Sequence, residues 1–176
     1  IVATAYKDQG LERTDGSRGE RGMDEEHRNS IRSGPYVQVA AFCERVLEEK
    51  DGVLTAVRII DRFTQVRPAP SQAGFVPQPV TVVLLVMLKS GDARGSHEVV
   101  IEVESPSGLR RPLFSLSILF EGEDRGVNLI VPFSFHPEEE GLYWFDVQTA
   151  HRLLTRMPLR VVFQTLRLQS PDAQGG

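Results

Sequence analysis

The densest group of residues that could do chemistry is a short acidic loop. His136 is followed by Pro137 and then by Glu138, Glu139 and Glu140. Imidazole nitrogen and carboxylate oxygens form a mixed donor set that divalent transition metals accept. One alternative is therefore a metal-dependent ligand binder or enzyme that uses this loop. Three consecutive glutamates cannot all face one ion, however, so we favour a solvated loop.

Cys43 is the only thiol in the sequence. A cysteine nucleophile needs a base within reach and a lowered pKa. Arg45 lies close by, but nothing in the sequence brings a base to the thiol. We therefore predict that Cys43 is a buried residue of the first hairpin. A single cysteine also excludes an intrachain disulfide and a multi-cysteine zinc site.

The remaining histidines suggest no catalytic site. His27 lies in a polar N-terminal stretch, His97 begins a predicted strand, and His151 falls in a predicted turn. The serine-hydrolase elbow, the phosphate-binding loop and the H-E-x-x-H zinc motif are all missing from the sequence. We therefore expect no catalytic residue, no metal and no cofactor, and hence a protein that is not an enzyme.

Aromatic residues cluster near the C-terminal end, in the run Tyr143-Trp144-Phe145-Asp146. Strand alternation places Tyr143 and Phe145 on one face and Trp144 on the other. The first face is expected to enter the core, with Tyr143 in a tyrosine corner, where the phenol bonds to nearby backbone. The second could form an aromatic platform for a sugar or a protein partner.

Asp61 and Arg62 close an apolar strand, where they could cap a turn, form a cross-strand ion pair or contact a ligand. The interaction surface that the sequence predicts therefore consists of Trp144, Asp61, Arg62 and His136.

Charge and hydropathy exclude several classes of partner. The chain of 176 residues has 20 basic and 24 acidic residues, a net charge of -4 and a pI near 5.6. This balance gives no electrostatic basis for binding nucleic acid or an anionic membrane. The longest apolar run, Val80–Leu88, is far shorter than the ~20 residues of a membrane-spanning helix. With no signal peptide visible, we expect a cytoplasmic protein.

The ends of the chain differ in composition from the middle. Residues 1–34 are rich in Gly, Ser and charged side chains, so we predict a disordered N-terminal tail, with Met23 as an alternative true start. Residues 35–168 form the predicted domain, and residues 169–176 a flexible C-terminal tail.

Alternation of apolar and polar residues dominates the predicted domain. It is clear over 96–104, 113–121 and 127–135, and Val80–Leu88 is apolar on both faces, as expected of a central strand. Turn residues separate these runs at Lys50–Gly52, Ser105–Gly108 and Gly122–Gly126, and a Pro-rich connector covers 67–79. The pattern predicts an all-β fold, namely a single antiparallel β-sandwich of about seven to eight strands, with a small barrel as the second choice.

Two segments resemble an uncharacterised bacterial family of small immunoglobulin-like β-sandwich proteins, a domain of unknown function. The first is Ala41–Thr64, with Cys43, then Asp51-Gly52, then Asp61-Arg62-Phe63; the second is Gly141–Gln164, which is similar to the final hairpin of that family. The resemblance loosely covers residues 35–166. It implies the immunoglobulin-like fold and no particular function.

Three functions stay open from the sequence. The first is a non-catalytic binding or interaction module with an unknown protein partner. The second is the metal-dependent ligand binder or enzyme that would use the loop from His136 to Glu140. The third is a structural subunit of a larger assembly, joined through a sheet edge or through the face of Trp144.

Overall fold

The described part of the chain consists of β-strands joined by turns and short connectors. The computed structural model describes residues 34–68, 76–150 and 152–166, and within these ranges it contains no helix. A helix that could cross a membrane is accordingly not found there. The seven strands are β1 (Tyr36–Glu48), β2 (Leu54–Ile60), β3 (Arg62–Pro68), β4 (Val80–Glu104), β5 (Arg110–Phe135), β6 (Gly141–Thr149) and β7 (Arg152–Leu166).

The strands are hydrogen-bonded in the order β2-β1-β4-β6-β7-β3, and β5 also pairs with β4. All pairs are antiparallel except β3 with β7, which run parallel. The prediction of a purely antiparallel fold is therefore wrong at this pair. The chain passes from β2 to β3 at Asp61, whose carbonyl oxygen accepts a hydrogen bond of 2.9 Å from the Arg160 N–H. The long connection from β3 to β7 allows the parallel arrangement.

The first hairpin forms as the sequence predicts. Gly52 has a φ of 82°, its N–H donates to the Glu49 carbonyl at 2.9 Å, and the Val53 N–H donates to an Asp51 carboxylate oxygen at 3.2 Å. The left-handed backbone at Gly52 explains why glycine follows the aspartate at this reversal.

The predicted turn at Gly122–Gly126 is wrong, because these residues lie inside β5. Gly122 and Glu123 have positive φ angles of 87° and 61°, and the facing part of β4 has register shifts on either side of Gly91. Positive φ angles and shifted register are typical of β-bulges, which bend a strand without ending it. β4 and β5 therefore form one long bent hairpin in which each strand merges two predicted ones.

The bend divides the strand pairs into two groups. The first part of β4 pairs with β1 and with the second part of β5, whereas its last residues pair with β6 and with the first part of β5. Phe145 of β6 contacts rings from the other group, since its centroid lies 4.8 Å from that of Phe42 on β1 and 5.4 Å from that of Phe135 on β5. These rings join the two groups through one apolar core.

Strand alternation is confirmed along the core. The alternate residues from Val80 to Leu88, together with Val99, Ile101 and Val103, are buried in a single cluster. On β5 the predicted inward face holds Ile118 and Phe120, which are buried, while Leu119 on the opposite face is exposed. A period of two thus identified the core side of each strand.

Several predictions concern residues outside the described ranges. They include the tail up to residue 33, Met23, His27, His151, most of the Pro-rich connector and the C-terminal tail from residue 169. Gly34, the last residue assigned to the N-terminal tail, is described and is buried.

Candidate functional site

The three glutamates of the acidic loop bond to three different partners. Glu138 lies 3.4 Å from Arg111, Glu139 accepts bonds of 2.6 and 3.0 Å from the hydroxyl and N–H of Ser107, and Glu140 accepts a bond of 2.9 Å from the Phe163 N–H. The Ser107 bonds lower the pKa of the Glu139 carboxyl.

His136 does not complete a metal site with these glutamates. It lies exposed in the loop between β5 and β6. In the described ranges, no group of three His, Cys, Asp or Glu side chains could hold a metal ion. The geometry therefore gives no support to the metal-dependent alternative, because the loop uses its carboxylates to join neighbouring segments.

Tyr143 forms the predicted tyrosine corner. Its hydroxyl donates a hydrogen bond of 2.9 Å to the Glu139 carbonyl and accepts one of 3.2 Å from the Glu139 N–H. Burial raises the pKa of the phenol, which therefore stays protonated and able to donate. The corner fixes the acidic loop against the start of β6.

A small pocket lies beside this corner. Its volume is about 30 Å³, and its lining includes Ser105, Arg111, Glu138 and Tyr143. That space suits about one ordered water molecule, whereas sites for organic ligands usually measure about 300–1,000 Å³. The pocket is therefore too small for a substrate.

Cys43 is buried in the first hairpin, as predicted, on the face of β1 opposite to Phe42. Its Sγ lies 3.7 Å from the Val83 carbonyl oxygen. Burial raises the pKa of the thiol, which disfavours the thiolate that a nucleophile needs. Among the described residues, nothing thus provides the activation that catalysis by Cys43 would require.

Trp144 lies on the outward side of β6 and is half-buried. Its neighbours Tyr143 and Phe145 are buried in the core. The Arg156 guanidinium on β7 lies 5.2 Å from the centroid of the Trp144 ring, which is within the range of a cation–π contact.

Arg156 also belongs to an ion network across four strands. Its Nε donates to Asp146 at 2.8 Å, and a second nitrogen bonds to Glu104. Arg110 lies 2.6 Å from Glu104 and 3.8 Å from Asp146. Two arginines and two carboxylates balance in charge, so this network is satisfied within the chain and stabilises the sheet.

The network shifts the pKa values of its members. Partial burial raises the pKa of the Glu104 carboxyl, but hydrogen bonds and charges from Arg110 and Arg156 outweigh it and hold that pKa below its ordinary value. The hydrogen bond to Asp146 raises the pKa of Arg156. Both residues are therefore ionised at neutral pH.

The face that carries Trp144 extends across β7 to β3, and we call it the Trp144 face. It consists of the residues on the side of these strands that faces away from the core, namely Leu142, Trp144 and the buried Asp146 on β6, Arg156, Pro158, Arg160 and Val162 on β7, and Arg62, Thr64 and Val66 on β3. Of these, Pro158, Arg160, Arg62, Thr64 and Val66 are exposed.

The structure brings together two of the four residues in the predicted surface. Trp144 and Arg62 share the Trp144 face, Asp61 borders it before β3, and His136 lies in a loop outside these strands. The sequence analysis does not include Arg160 in the predicted surface, but the structure makes it the Cα partner of Arg62. Alternation in the sequence could have placed Arg160 on the outward side of β7, because Arg156, Pro158 and Arg160 alternate there with Met157, Leu159 and Val161.

Comparisons with known proteins give remote similarities. No family model and no curated protein matches the chain. Among solved structures, the CARDB domain of the PF1109 protein from Pyrococcus furiosus, solved in complex with di-metal ions, is 11% identical with a TM-score of 0.37, covering 72% of this chain and 92% of that one. An immunoglobulin-like protein, PA1606 from Pseudomonas aeruginosa, is 15% identical with a TM-score of 0.37, covering 74% and 98%. These TM-scores are too low to carry an argument about fold or function.

Proposed function

We propose that the protein is a non-catalytic protein-interaction module, built on an immunoglobulin-like β-sandwich, whose partner binds the Trp144 face. Two features of the chain support the sandwich: the ring contacts of Phe145 with Phe42 and Phe135, and the tyrosine corner of Tyr143. The proposal includes a cytoplasmic location and a domain that spans residues 35–168.

The observation that carries this function is the composition of the Trp144 face. A tryptophan and three arginines lie there beside the aliphatic side chains of Leu142, Val162 and Val66. Tryptophan and arginine are enriched among the residues that dominate binding energy at protein interfaces. An exposed sheet face of this composition suits a protein partner better than a small ligand, which needs a concave site.

Site-specific photocrosslinking tests this proposal. A benzophenone side chain at Thr64, which is exposed on the Trp144 face, should yield a discrete crosslinked species in the cells that make the protein. The same group at Thr55, an exposed threonine on β2, should not. Equal crosslinking from both positions, or none from Thr64, would argue against the Trp144 face as the binding surface.

A second candidate function is a subunit of a larger assembly, joined through β5. Within the described ranges this strand of 26 residues pairs only with β4, so its other edge is free. The run Pro112–Phe120 carries no charge, and Leu119 is 63% exposed. Free apolar edges favour strand addition. Light scattering would support this candidate if the protein self-associates and Leu119→Lys restores a monomer.

A further inference from the structure

We infer that the partner presents an acidic peptide segment to the Trp144 face and that Arg62 and Arg160 anchor its carboxylates. This inference rests on the proposed function and specifies the chemistry of the partner.

The first step is an inventory of arginines. Most of the described arginine side chains bond to an acceptor within the chain: Arg58 to Glu44, Arg94 to Glu121 and Glu123, Arg110 to Glu104, Arg111 to Glu138, Arg125 to Glu121, Arg156 to Asp146, Arg67 to Thr165, and Arg152 to the Pro35 carbonyl. For Arg45, Arg62 and Arg160 the structure shows no side-chain bond to any described residue.

The second step is that two of these three arginines are direct neighbours. Arg62 on β3 and Arg160 on β7 are Cα partners in the parallel pair, and both are exposed. Neighbouring strands lie ~4.8 Å apart, and like charges directly opposite each other destabilise a sheet. A carboxylate bound between the two guanidinium groups would relieve this repulsion, and the guanidinium fork matches carboxylate oxygens in geometry.

The third step is the surroundings of the pair. Arg160 pairs with Leu142, two residues from Trp144 on β6, and Val66 on β3 is 52% exposed. The basic pair is therefore bordered by apolar groups on the same face. An acidic segment that also carries aliphatic side chains would match both features, whereas a free anion would use only the charges.

Fluorescence anisotropy with a defined probe tests the inference. The probe is a short fluorescein-labelled peptide that alternates Glu with Leu and Ser, and its control has Gln in place of Glu. We expect saturable binding of the Glu peptide that weakens as salt rises, and clearly weaker binding of the Gln peptide. The double variant Arg62→Gln/Arg160→Gln should lose about tenfold in affinity for the Glu peptide.

Arg45→Gln is the matched control, because it removes from β1 an exposed arginine whose side chain bonds to no described residue. It should bind the Glu peptide as the parent protein does, and melting curves should show that all variants remain folded. Equal losses in Arg45→Gln and the double variant, equal binding of both peptides, or competition by inorganic phosphate as strong as by unlabelled peptide would overturn the inference. If crosslinking from Thr64 persists unchanged in the double variant, the acidic-segment inference fails while the proposed function stands.

Discussion

At the scale of single residues, the acidic loop shows how glutamates that look like metal ligands can serve the fold. Glu139 bonds to Ser107 through its carboxylate and to Tyr143 through its backbone. The first contact joins the loop to the turn between β4 and β5, and the second joins it to the start of β6. The sequence predicts that three consecutive glutamates cannot all face one ion. Their individual partners depend on the backbone of the loop, so the structure was needed to identify them.

Replacing Tyr143 by Phe should lower the free energy of unfolding by about 1–2 kcal/mol, because two backbone groups of Glu139 lose their partner while the ring stays packed. Urea denaturation measures the change. Tyr36→Phe is the control, since the half-buried Tyr36 hydroxyl bonds to no described residue, and it should cost little. Equal effects of the two substitutions would show that the corner does not contribute as proposed.

Ser90, unlike Tyr143, has a buried hydroxyl without a hydrogen-bond partner among the described residues. It lies at the bend of β4. Burying an unsatisfied polar group costs free energy, so Ser90→Ala should stabilise the protein by about 1 kcal/mol. Thermal melting and urea denaturation measure the gain. Ser96→Ala, which removes an exposed hydroxyl bonded to Ser117 at 2.8 Å, should give no such gain. A destabilised Ser90→Ala protein would mean that Ser90 has a partner after all.

At the scale of elements, the ion network fastens β4 and β5 to β6 and β7. Since the arginines hold the pKa of Glu104 below its ordinary value of 4.5, the carboxylate stabilises the folded state above pH 4.5. This contribution is lost as the pH falls through the lower pKa of the folded state. Glu104→Gln should therefore lower the free energy of unfolding at neutral pH. As the pH falls below 5, the free energy of unfolding should decrease less steeply in this variant than in the parent protein.

Denaturation curves recorded across this pH range test the role of Glu104. Glu98→Gln is the matched control, because Glu98 is exposed on the same strand and forms no ion pair in the described part of the chain. Its curves should follow those of the parent protein. If stability falls as steeply below pH 5 in Glu104→Gln as in the parent protein, the prediction is wrong.

The elements also show how far sequence patterns reach. Alternation identified the inward face of β4, β5 and β6, because a buried face imposes a period of two wherever the strand lies. It did not distinguish the bulges at Gly122 and Glu123 from a turn, since both use positive φ angles. The difference depends on whether the facing strand bends as well, and that strand is distant in sequence.

At the scale of the whole molecule, the parallel pair of β3 and β7 was beyond the reach of local patterns. Its partners are far apart in the chain, and their register follows from the packing of all strands between them. Arg62 and Arg160, the proposed anchor, are neighbours only because of this register. The sequence could therefore single out Trp144 by its alternation, and Arg62, although Arg62 begins β3 and does not close a strand as predicted. It could not identify the neighbour that completes the basic pair.

The described contacts predict that residues 34–168 fold without the rest of the chain. The apolar cluster runs from Val37 to Phe163, and Gly34 and Pro35 are buried at its start. A chain shortened to residues 34–168 should therefore unfold in one cooperative transition, with a midpoint within a few degrees of the full chain. Circular dichroism melting of both proteins measures this. A shortened chain that begins after Ala41 is the control, because it removes half of β1 and should not fold. A large drop in midpoint for 34–168 would show that residues before 34 or after 168 stabilise the domain, and its boundaries would then have to be extended.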